Sequence, residues 1–132
     1  MIEPLWLTVP DVLYLHECSI ELFGGSYGTR DEGLLESAVM RPQQLWSYTE
    51  PPPSLSDLAA SIGFGLARNH PFIDGNKRTA YAAVLSFLYE NGAYLDVSEL
   101  EAERVMVNVA SGLMPEALFA SWISANSLAI ED

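Results

Sequence analysis

A hydroxyl residue followed three positions later by an acid heads an apolar stretch four times, at Thr8/Asp11, Thr29/Glu32, Ser54/Asp57 and Ser98/Glu101. This is the capping-box pattern. The hydroxyl accepts a hydrogen bond from the third helical N–H, and the acid reaches back to the N–H of the capping residue. Repeated this often, the pattern commits most of the chain to helix. With the apolar periodicity that follows each start, it predicts helices over about 9–23, 30–40, 55–69, 76–91, 99–111 and 115–126. Gly24, Gly92 and Gly112 stand just past three of these ends, and Pro115 suits the first turn of the last helix. The expected architecture is all-α, a compact bundle of about six helices in a single domain, 1–132.

The long irregular connection is "RPQQLWSYTEPPPS", residues 41–54. Three successive prolines exclude helix there and discourage a central strand. The preceding "QLWSYT" reads as extended, a short flap or hairpin arm before the third helix, with a plain surface loop as the alternative. The helix from 76 carries Ala80, Ala83, Val84, Phe87 and Leu88 on one stripe and is apolar over much of the rest, which predicts central burial. Gly63 and Gly65 lie inside the helix before it, where each costs about 1 kcal/mol relative to alanine. Close approach of a neighbouring helix is the expected compensation.

Charge narrows the function. Eighteen acids against six bases give a formal charge of −12. Nucleic-acid binding rests on neutralising phosphates with Lys and Arg, so a direct nucleic-acid partner is not expected, whereas a basic protein is easily accommodated. No apolar run reaches the roughly 20 residues that a bilayer needs. The start "MIEPLWLTVPD" lacks the basic and apolar segments of a signal peptide. Cys18 is alone, so no internal disulfide or cysteine-rich metal site is possible. A soluble cytoplasmic protein is expected.

Against this acidic background Arg68, Lys77 and Arg78, half of the cations, gather within "RNHPFIDGNKR" at the head of the 76–91 helix. Lys77 and Arg78 fall in the first turn, where the helix macrodipole is positive and cations are disfavoured. A bound anion removes the conflict: free N–H groups, two cations and Gly75, which permits close approach, converge on one place. Two solvated side chains are the blander reading. Asp74 suits a helix N-cap, or a hard cation such as Mg²⁺ held beside phosphates. His70 is either a structural loop histidine or, next to a phosphate site, a general base. Phe72 alternates with His70 and is expected to point inward as an anchor. Asn76 is read as a cap or as a phosphate donor, and spacing does not separate the two.

The run from His70 to Arg78, "HPFIDGNKR", resembles the signature of the Fic/Doc family in its Doc branch, and the flanks "YGTRDEGLLESAVMRPQ" and "RTAYAAVLSFLYENG" look similar too. The resemblance implies a helical fold with the motif opening a central helix, and a flap in the 41–54 region that positions the target. It implies His70 as base, Asp74 as Mg²⁺ ligand, and Asn76 and Arg78 as phosphate grips, with Gly75 and Lys77 at the same phosphates. Fic members transfer AMP from ATP to a protein hydroxyl. Doc toxins instead phosphorylate a threonine of elongation factor Tu and are restrained by a separate Phd-like antitoxin. AMP-transferring members have a second glycine at position 77 and an arginine at 81, where this chain has Lys77 and Tyr81. By resemblance the nucleotide binds reversed and offers its γ-phosphate, making ATP the co-substrate and His70, Lys77 and Arg78 the catalytic set. AMP transfer is the alternative reading, and a non-catalytic binding module is the third. The pattern Ser86–Glu90–Asn91 matches the family's inhibitory motif, but falls inside the 76–91 helix and reads as coincidence.

Overall fold

The computed structural model describes residues 2–131, and within them the capping residues set most of the helix starts. Helix α1 (Val9–Phe23) opens with the full capping box: the Asp11 N–H donates to Thr8 Oγ1 at 3.3 Å and the Thr8 N–H to Asp11 Oδ2 at 2.8 Å. The same reciprocal pair, Ser54 with Asp57, opens α3 (Leu55–Asn69). Ser98 caps α5 (Glu99–Ser111), but Glu101 does not reach back; its Oε2 accepts from Trp122 Nε1 at 2.9 Å and so ties α5 to α6 (Glu116–Asn126). At α2 (Glu32–Tyr48) the expected Thr29 cap is replaced by Asp31, whose Oδ1 accepts from the Leu34 N–H at 2.9 Å. Thr29 bridges to Phe72 instead.

The expected flap does not form as a hairpin. Residues 41–48 continue α2 through Pro42, and only 49–54, with the three prolines, stay irregular. A proline inside a helix removes one hydrogen bond and costs about 3 kcal/mol. Continuing the helix packs Leu45 and Trp46 against the core, and Trp46 meets Trp6 edge-on at 6.2 Å between centroids. Both are half-buried, so each contributes a part of the about 1.5–3 kcal/mol of full burial, which works against the cost of the proline.

Helix α4 (Asn76–Glu90) is not the most enclosed element. Its stripe Ala80, Ala83, Val84, Phe87 and Leu88 is buried, but Leu85 and Tyr89 face solvent. The central place belongs to α3, which packs against α2, α4, α5 and α6. Small residues make this possible. A Cβ on Gly63 would lie 2.5 Å from Val84 Cγ2, and one on Gly65 would lie 3.2 Å from Ala38 Cα. The two glycines therefore set the approach of α4 and α2. Strands β1 (Ala93–Leu95) and β2 (Ser127–Ala129) pair antiparallel, with Ala93 opposite Ala129, and fasten the chain after α6 to the exit of α4. Asn91 closes the same end: its side chain exchanges hydrogen bonds with the Leu5 backbone at 2.8 and 3.0 Å. The fold is all-α apart from this ribbon, and it delivers the start of α4 to the surface at the opposite end.

Candidate active site

The site begins where α3 ends. His70 caps that helix in the left-handed conformation, φ 47° and ψ 57°, and among the described residues it alone does so without being glycine. Such a conformation strains an L-residue and must be held by its surroundings. The holding comes from residues 28–34. Arg30 Nε donates to the His70 carbonyl at 2.7 Å, and its second guanidinium nitrogen donates to the Asn69 carbonyl at 2.8 Å. The backbone N–H groups of Arg30 and Asp31 both donate to Pro71 O, and that of Ile73 donates to Gly28 O. Asn69 Nδ2 donates to Leu34 O. The His70 side chain remains exposed.

Phe72 is buried as the alternation with His70 predicts, at 1% exposure. Its ring stacks on His16 at 3.9 Å with the planes 4° apart. His16 is itself buried and lies 2.8 Å, through Nε2, from the Asp74 carbonyl. A carbonyl only accepts, so Nε2 carries the proton. Local sequence gave no sign of His16 or Arg30 at this site, because both partners lie about 40 to 58 residues away.

Asp74 is not the cap of α4. Gly75 holds that position at φ 74°, with no side chain closing the helix, so the N–H groups of Asn76, Lys77 and Arg78 have no intrahelical partner. The Asp74 carboxylate turns aside, accepting from Gly75 N–H at 2.9 Å and from Ser26 N–H at 3.1 Å. A Cβ on Gly25 would meet its Oδ2 at 2.6 Å, which is why the 24–28 loop can lie so close. Asn76 faces inward: its Oδ1 accepts from the Phe72 N–H at 2.9 Å and its Nδ2 donates to the Phe72 carbonyl at 3.0 Å. Its side chain thus staples the loop, and what it presents outward is its backbone N–H. Lys77 and Arg78 are exposed, and the Arg78 guanidinium lies 4.5 Å above the Phe23 ring.

With eighteen acids in the chain, Lys77 and Arg78 form no ion pair among the described residues. Among the described residues the one ion pair is Arg41 with Glu116, at 2.5 Å. The surface around α4 therefore combines free helical N–H groups, two unneutralised cations and an exposed imidazole, an arrangement suited to polyphosphate and to proton transfer at its edge. Two concavities, of about 320 and 580 Å³, lie beside Trp6 and beside the proline segment, and neither is lined by a residue of the motif. Tyr81 packs at the core edge, where burial and then the nearby Glu101 push its phenol pKa up; it brings no second cation.

The profile of the Fic/DOC family matches residues 6–88, which include α1 to most of α4 and every residue of the motif. The chain belongs to the Fic/DOC family. It is 47% identical over 91 residues to a protein of Mycolicibacterium smegmatis named Toxin Doc, covering 67% of this chain and 70% of that one. It is 34% identical over 102 residues to Protein kinase doc of Escherichia phage P1, covering 77% and 79%. For a Fic/DOC protein the fold expectation is met: the motif loop opens α4, and the elements that clamp it lie within the matched region.

Proposed function

We propose that this Fic/DOC chain is a Doc-type toxin that moves the γ-phosphoryl group of ATP onto a Ser or Thr hydroxyl of a translation protein, elongation factor Tu by resemblance, and so arrests growth. The observation that carries the reading is the head of α4, where three N–H groups, Lys77 and Arg78 stand together without a capping side chain or a paired acid. The phage P1 relative is named a protein kinase, and the mycobacterial relative a toxin. Lys77 occupies the position where AMP-transferring members by resemblance have glycine, which favours phosphoryl over AMP transfer.

In this mechanism His70 removes the proton of the target hydroxyl, whose oxygen attacks the γ-phosphorus in line. The bond from that phosphorus to the bridging oxygen breaks, and ADP leaves. Lys77, Arg78 and the N–H groups of the first turn stabilise the charge spread over the transferring oxygens. Phe23 holds the Arg78 guanidinium in place for this task. Asp74 is the residue that would hold Mg²⁺. Its carboxylate accepts one N–H at each oxygen and keeps lone pairs free, and no group of three or more acids or histidines forms a metal cage among the described residues. A single carboxylate completed by phosphate oxygens is how Mg²⁺ is usually bound with nucleotides. Mg²⁺ there would neutralise phosphate charge. A separate Phd-like antitoxin is the expected restraint. Glu90, in the inhibitory-type pattern, stands at the far end of α4, about 20 Å along the helix from Asn76.

The deciding experiment incubates the protein with elongation factor Tu and ATP carrying label at either the α- or the γ-phosphate. Label transferred from the γ position supports the reading. Transfer from the α position establishes AMP transfer instead. No modification of elongation factor Tu or of any lysate protein supports a binding module.

A further inference from the structure

We infer that Arg30 is a positioning residue for His70, acting through the backbone. The inference rests on the reading of His70 as the base. Three observations converge on it. His70 sits in the left-handed conformation, which crowds the Cβ of an L-residue, at a helix end where glycine is the usual occupant. Arg30 meets that turn with two parallel hydrogen bonds, 2.7 Å to the His70 carbonyl and 2.8 Å to the Asn69 carbonyl. And in a chain with eighteen acids, this exposed arginine makes no ion pair among the described residues; its guanidinium is committed to two main-chain oxygens.

The chemistry suits the place. The last carbonyls of a helix have no N–H partner and carry the negative end of the macrodipole, so a guanidinium there is favoured twice over. A fork spanning consecutive carbonyls holds two successive peptide planes, Asn69–His70 and His70–Pro71, in a fixed relation. That relation is set by the φ and ψ of His70, which lies between them. Rotating His70 back to an ordinary φ turns one plane against the other and breaks at least one of the two bonds. The neighbouring N–H groups of Arg30 and Asp31, both on Pro71 O, hold the following carbonyl from the same side. Arg30 thus locks the direction in which the imidazole leaves the chain without touching the imidazole. Lysine, a single point donor on a flexible stem, cannot reproduce the fork.

The test pairs kinetics with a signature of the His70 backbone. Arg30→Ala should lower kcat for γ-phosphoryl transfer to elongation factor Tu by about tenfold to a hundredfold, with KM for ATP within about twofold. Arg30→Lys should retain most of that loss. The His70 Cα and Cβ chemical shifts should move from left-handed values toward those of a mixture in both variants. A kcat near wild type with unmoved His70 shifts overturns the inference, as does a loss that appears in the KM for ATP alone. Should Arg30→Ala fail to fold, Arg30→Lys is read by the same criteria. If the wild-type protein transfers nothing, the reading of His70 as base fails. The chemical shifts then decide by themselves whether Arg30 holds the turn.

Discussion

At His70 the demands of stability and of chemistry oppose each other. The proposed reaction calls for an imidazole there, and the backbone, at φ 47°, favours glycine. Two substitutions separate these demands. His70→Gly should make the protein more stable than His70→Ala by about 1 kcal/mol, because only glycine escapes the clash of Cβ with the next carbonyl. Both should abolish transfer while melting as cooperatively as wild type, since the side chain is exposed and anchors nothing. Urea unfolding and a γ-label assay measure the two effects, and equal stabilities of the two variants would show that the turn is unstrained. Asp74 offers a second case. Asp74→Asn keeps an oxygen acceptor for the Ser26 or Gly75 N–H but loses the charge that attracts a hard cation. The Mg²⁺ concentration needed for half-maximal ATP binding should rise about tenfold or more, measured by titration calorimetry. Much of this arrangement was legible in the residues themselves: Lys77 and Arg78 fall in the first turn of α4 as their spacing indicated, and Phe72 turns inward as its alternation with His70 predicted. Arg30 and His16 were not, because nothing local marks an arginine that holds carbonyls 39 and 40 positions away or a histidine that holds one 58 away.

At the scale of elements, glycine inside α3 decides how the site is carried. Gly63→Ala should gain about 1 kcal/mol of helix propensity, yet the added Cβ would meet Val84 Cγ2 at 2.5 Å and Phe119 Cε2 at 3.1 Å. Both neighbours are fully buried, so neither can swing into solvent. Overpacking of this kind costs about 1–3 kcal/mol, and the net effect should be a loss of up to about 2 kcal/mol, read from urea midpoints at unchanged slope. A more stable Gly63→Ala would mean that α4 can draw away from α3 at little cost. The same helix pair shows where sequence patterns stop being informative. Thr8, Ser54 and Ser98 mark their helix starts because a cap is a local hydrogen bond. Thr29 misleads because Asp31, two residues on, competes for the same role. The continuation of α2 through Pro42 contradicts local propensity, and depends on Leu45 and Trp46 finding the core. The ribbon of β1 and β2 is three residues per strand, too short for any periodicity to declare it.

Over the whole molecule, charge is unevenly placed, and that asymmetry predicts two salt responses of opposite sign. Eighteen acids and six bases leave the surface repelling itself, and one ion pair among the described residues does little to relieve it. Of the six cations, Arg41 is paired, Arg30 is bound to carbonyls, and Arg68 and Arg104 stand on α3 and α5, so Lys77 and Arg78 are the two that face solvent together at a helix start. Raising NaCl from 0.1 M to 1 M shortens the screening length from about 10 Å to about 3 Å. Self-repulsion then fades, and the melting temperature of the free protein should rise by several degrees, corresponding to roughly 1 kcal/mol. On the proposed reading ATP with Mg²⁺ is held by attraction between its phosphates and the head of α4, so the stabilisation it adds should shrink over the same range. Scanning calorimetry with and without nucleotide yields both slopes from one series. A melting temperature that falls with salt in the free protein would show that local attractions outweigh the net charge of −12. A nucleotide increment indifferent to salt would place the ATP contacts away from Lys77 and Arg78, and Lys77→Ala should then leave that increment unchanged instead of reducing it.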